Sequence, residues 1–76
     1  MLNELETVVI NKDIPEYSLI KGDIGAIVHI YKNGSVVDVE FVSGEGSTVG
    51  VITLPKEDLR QIAHDEILHV RELHSA

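Results

Sequence analysis

The chain has 76 residues, enough for one domain. Thirteen Asp and Glu against six Lys and Arg give a net charge of −7, and there is no cysteine. Disulfide and thiolate-metal frameworks are thereby excluded. Lys12, Lys21, Lys32, Lys56, Arg60 and Arg71 are scattered singly. That argues against a phosphate-binding surface, because nucleic acid is held by clustered Lys and Arg.

In chain order, Glu6 to Ile10 (ETVVI) is short and β-branched and predicts a first strand. Asn11 to Lys21 predicts a loop, since Pro15 cannot donate a ladder hydrogen bond. Tyr17, Leu19 and Ile20 are apolar enough to tuck under the sheet. Gly22-Asp23-Ile24-Gly25 predicts a tight turn, with the Asp23 carboxylate capping local N–H groups. Ala26 to Tyr31 then alternates, placing Ile27, His29 and Tyr31 on one face and Ala26, Val28 and Ile30 on the other. Asn33-Gly34 predicts a type I′ hairpin turn. On the return strand, Val37, Val39 and Phe41 face inward, while Val36, Asp38, Glu40 and Val42 face water. Ser43 to Ser47 is a second hairpin loop, and Thr48 to Leu54 a further strand in which Gly50 marks a bulge or bend. Pro55 ends that strand, with a short turn expected from Pro55 to Ile62.

Two readings of residues 62–73 stand side by side. Leu59, Ile62, Ala63, Ile67, Val70 and Leu73 follow helical spacing. Glu66 to Leu73 also admits a strand, and a closing strand near Ile67 to Val70 would complete a barrel. The pattern as a whole is all-β: one domain over residues 1–76, a small SH3-like barrel of about five strands with a short 3-10 or α-helical turn near the C-terminus.

The residues that could carry chemistry are few. His64, His69 and His74 step by five. That turns them by about 140° on a helix and alternates them across a strand, so they share no face and predict no metal site. His29 reads as a half-buried, hydrogen-bonded histidine without a catalytic partner. Ser35, Ser43 and Ser47 lie in loops, outside any nucleophile elbow. Gly44-Glu45-Gly46 lacks the Lys and the following helix of a phosphate loop. No catalytic residue, cofactor or metal is expected.

What remains is surface. Glu16, Asp38, Glu40, Glu45, Glu57 and Asp58 form an acidic set suited to a basic partner. Tyr17 and Tyr31 are too few to line a polyproline groove. The candidate partner-binding residues are Tyr17, Tyr31, Asp38, Glu40 and Glu45. A domain this small buries only about 60% of its unfolded surface, which favours docking on a partner or self-association. The start, MLNELETVVI, is acidic and lacks an apolar signal core. No run nears the roughly 18 apolar residues of a membrane span. A cytoplasmic protein without a membrane partner is expected.

Over its whole length the chain resembles the bacterial domain-of-unknown-function 4926 family. The likeness rests on Glu6-Thr7-Val8-Val9, Asp13-Ile14-Pro15-Glu16-Tyr17, Lys21-Gly22-Asp23-Ile24-Gly25, Val39-Glu40-Phe41-Val42 and Thr53-Leu54-Pro55 with Leu59-Arg60. It implies an SH3-like fold and no established activity. Lys21 to Val28 also resembles the KOW segments of ribosomal and transcription-elongation proteins, without their basic residues. The leading expectation is a non-enzymatic protein-interaction module, an antitoxin- or immunity-like role being one version. A KOW-like accessory of RNA or transcription machinery and a His-dependent metal-binding protein are the alternatives.

Overall fold

The computed structural model describes residues 2–73. Five antiparallel strands form one sheet: β1 (Thr7–Ile10), β2 (Ile24–Ile30), β3 (Val36–Val42), β4 (Thr48–Pro55) and β5 (Leu59–Gln61). Their order is β4-β3-β2-β1-β5, an open sheet whose edges are β4 and β5. The all-β fold is as the sequence indicated, with a 3-10 turn at Lys56–Asp58 ahead of the last strand. Pro55 closes β4 opposite Val36, on the sheet edge, where a residue without an N–H is tolerated.

One side of the sheet carries the core. Val8, Ile10, Ile27, Val37, Val39, Phe41, Leu54 and Leu59 are buried together there, joined by Ile14 and Leu19 from the first loop. On β3 the alternation is as expected, with Val37, Val39 and Phe41 inward. The first loop folds on itself. Ile14 and Leu19 exchange backbone hydrogen bonds of 2.8 and 3.1 Å around a 3-10 turn at Pro15–Tyr17. This inserts both side chains into the core and leaves Ile20 at the surface.

Three expectations need correction. First, Ile27, His29 and Tyr31 do not share a face. Ile27 pairs with Val39 and His29 with Asp38, so Val28 is an extra residue, a β-bulge. The bulge shifts the phase of β2: Ile27 and Ile30 pack toward the core, whereas His29 and Tyr31 point outward. Second, the β2–β3 turn is not type I′, which needs positive φ at both central residues. Here only Gly34 is left-handed, at φ 75°; its N–H closes the turn on the Tyr31 carbonyl, and Asn33 Oδ1 caps the Ser35 N–H. Third, the closing strand is Leu59–Gln61, and residues 62–73 are neither helix nor strand.

That tail is tied down by ion pairs in place of a ladder. Arg60 forks onto Glu66 at 2.7 and 2.8 Å, and Glu66 also accepts the Ala63 N–H at 2.7 Å. Arg71 forks onto Asp23. Between the two clamps, Ile62, Ile67 and Leu68 share a groove with Val9 and Ile24. Val9 points away from the core cluster yet is only 5% exposed. Of the three tail residues only Ile62 is half-buried; Ile67 and Leu68 stay exposed at the groove's rim.

Candidate functional site

The outward face of β2, β3 and β4 is built by strand alternation. Wherever β3 buries a Val or Phe, its neighbour faces water, and those neighbours are Asp38 and Glu40. Asp38 lies opposite His29 on one side and Thr53 on the other. The Tyr31 hydroxyl donates to Asp38 Oδ2 at 3.0 Å and the Thr53 hydroxyl to Oδ1 at 2.5 Å. The Thr48 hydroxyl donates to Glu40 Oε2 at 2.8 Å. The His29 and Tyr31 rings meet edge to face, centroids 4.6 Å apart, a favourable aromatic geometry. Farther along the face, Val51 lies opposite Glu40 and Val42 two residues beyond it, each about half exposed.

Both carboxylates are thus oriented by hydroxyls. Among the described residues the ion pairs lie elsewhere: Lys12 on Asp58, Arg60 on Glu66 and Arg71 on Asp23. Of the five candidate residues, the structure brings Tyr31, Asp38 and Glu40 onto this face. Tyr17 is apart from them, its ring lying against Gly50 on the inward side of β4. Glu45 sits in the β3–β4 loop. His64 and His69 belong to the tail, and His74 lies outside the described residues. No three His, Cys, Asp or Glu among the described residues gather as a metal ion would require.

Sequence reading missed the contact between Asp23 and Arg71. The Asp23 carboxylate caps the Ile20 N–H at 2.8 Å, as the turn motif indicated. It also receives the Arg71 guanidinium from 48 residues away. The Arg71 hydrogen bond is the main cause that holds the Asp23 carboxyl below its ordinary range, against partial burial. Glu66 is drawn down to about 2, chiefly by Arg60. No periodicity or motif joins residues so far apart, so no local signal could have found this pair.

Residues 4–61 match the family model described as "Domain of unknown function (DUF4926)", and the chain belongs to that family. No curated protein and no solved structure matches it. No helix among the described residues is long and apolar enough to cross a membrane.

Proposed function

We propose that this member of the DUF4926 family is a non-enzymatic interaction module that docks a basic protein through the outward face of β2–β3–β4, in the bacterial cytoplasm. The observation that supports it is the row of Tyr31, Asp38 and Glu40. The two carboxylates are held in place by hydroxyl groups, pair with no Lys or Arg among the described residues, and are flanked by the half-exposed Val42 and Val51. Oriented carboxylates beside an aromatic ring and apolar side chains suit Lys and Arg side chains, whose apolar stems pack while their charged heads pair. The net charge of −7 speeds encounter with a basic surface.

The test compares the tagged chain with its Asp38→Asn, Glu40→Gln double variant as bait in lysate treated with nuclease. The variant keeps the shape of both side chains and removes both charges. The expected result is one stoichiometric basic protein on the wild type and its loss on the folded variant, with retention falling as salt rises. Equal capture by both baits overturns the proposal. Ribosomal or polymerase proteins captured only in a parallel lysate without nuclease would instead favour the KOW-like reading.

A further inference from the structure

The loop between β1 and β2 builds a socket, and Arg71 sits in it. Arg71 Nε donates to Asp23 Oδ1 at 2.8 Å and Nη2 to Oδ2 at 2.5 Å. Nη2 also donates to the Ser18 carbonyl at 2.9 Å. A carboxylate met by two parallel N–H bonds selects guanidinium over ammonium, because only the planar fork satisfies both oxygens.

The receiving groups are fixed by their own loop. Asp23 Oδ2 accepts the Ile20 N–H, and the Asp23 N–H donates to the Ile20 carbonyl at 3.0 Å. Ser18 has a φ of 60°, a left-handed conformation uncommon outside glycine, and its carbonyl is the one that meets Arg71. Held strain of this kind recurs where a loop is shaped for a ligand. The Asp23 side chain is only 16% exposed, so its charge is less screened than that of a surface carboxylate. Beside the socket runs a groove of about 420 Å³, in which Leu19, Ile24, Phe41 and Val49 face Leu73 of the tail. Ser18, Asp23 and the groove walls fall within the family match, whereas Arg71 and Leu73 lie beyond it.

We propose that the Asp23–Ser18 socket is a recognition site for an arginine on an extended segment of a partner protein, with an apolar side chain two residues further on, and that Arg71 is its resident intramolecular occupant. The tail then competes with the partner. A tethered ligand acts at an effective concentration on the order of millimolar, so a partner segment must outbid Arg71 to enter. This site is separate from the outward face of β2–β3–β4 and does not depend on it.

The test uses the isotope-labelled full chain carrying Arg71→Gln, titrated with a synthetic peptide of residues 66–73 (EILHVREL). The control peptide carries Arg71→Gln itself. Amide resonances of residues 18–25 should shift saturably with the arginine peptide and not with the control. The wild type, its socket already filled, should respond roughly tenfold more weakly. Arg71→Lys, which keeps the charge but not the fork, is a second recipient and should respond as Arg71→Gln does. No saturable shift in either recipient overturns the proposal. So do equal shifts with both peptides, or a wild-type response as strong as the variants'.

Discussion

Gly25 and Gly50 both stand where another chain segment leaves no room, and they differ in what would have to move. A Cβ on Gly25 would lie 2.5 Å from Val39 Cγ1 and 2.9 Å from both the Glu40 carbonyl and Phe41 Cε1. All three are core side chains or backbone. A Cβ on Gly50 would meet the Tyr17 ring at 2.6 Å, but Tyr17 is 41% exposed and its ring can swing out. Gly25→Ala should therefore cost about 3 kcal/mol and Gly50→Ala about 1 kcal/mol, read from urea denaturation. Adding Tyr17→Ala should recover most of the Gly50→Ala loss; equal losses at the two glycines would refute this account. Gly50 was legible in the sequence as a mark of a bulge or bend, and the register shifts beside it, Gly50 pairing with Phe41 and Thr48 with Val42. The Tyr17 ring that occupies its space was not, because a contact between a loop and a distant strand leaves no periodic trace. The same limit applied to Ile14, whose burial depends on the loop's own hairpin with Leu19.

Strand β2 shows how a single residue resets an element. Regular alternation would make Val28 and Ile30 equivalent, both on the face opposite Ile27. With Val28 as the extra residue of a bulge, Ile30 packs against the core and Val28 sits 38% exposed. Val28→Lys should accordingly change stability by no more than about 0.5 kcal/mol. Ile30→Lys should cost about 2 kcal/mol, from lost apolar burial. Similar losses at the two sites in thermal or chemical unfolding would mean that the strand alternates without a break. The strands themselves were readable from β-branched runs between turn residues. The bulge was not, because it is defined by pairing with β3 and not by β2 alone. The consequence reached the candidate site: His29 and Tyr31 join Asp38 on the outward face only because the phase changes. The tail misled for the opposite reason. Its apolar residues have helical spacing, but they are used one at a time, with Ile67 and Val70 left almost wholly exposed.

For the molecule as a whole, the docked tail adds an electrostatic dependence. Glu66 and Asp23 both ionise more readily in the folded chain than usual, Glu66 down to about 2 from 4.5. A carboxyl shifted this way stabilises the fold above its ordinary pKa, and the contribution fades as pH falls toward the folded value. The clamps should therefore hold above about pH 4.5 and weaken progressively toward about pH 2. Carboxyl-carbon NMR titration checks this residue by residue. Arg60→Gln should return Glu66 toward 4.5 and leave Asp23 low. An ordinary Glu66 pKa in the wild type would mean that the tail is not docked as described. The scattering of Lys and Arg along the sequence speaks only against nucleic acid as a partner. Yet Arg60 and Arg71, the chain's two arginines, pin the tail to the domain.

The β1–β5 ladder has a further consequence, one of connectivity. Val8 lies opposite Gln61, and Gln61 Nε2 donates to Glu6 Oε2 at 2.6 Å. The chain enters and leaves its sheet at the same point. Few residues would be needed to join the two ends into a ring, and the exposed Ser43–Ser47 turn offers a place to reopen it. A domain wired in this way can be spliced into a loop of another protein, or circularly permuted, without rerouting a single strand.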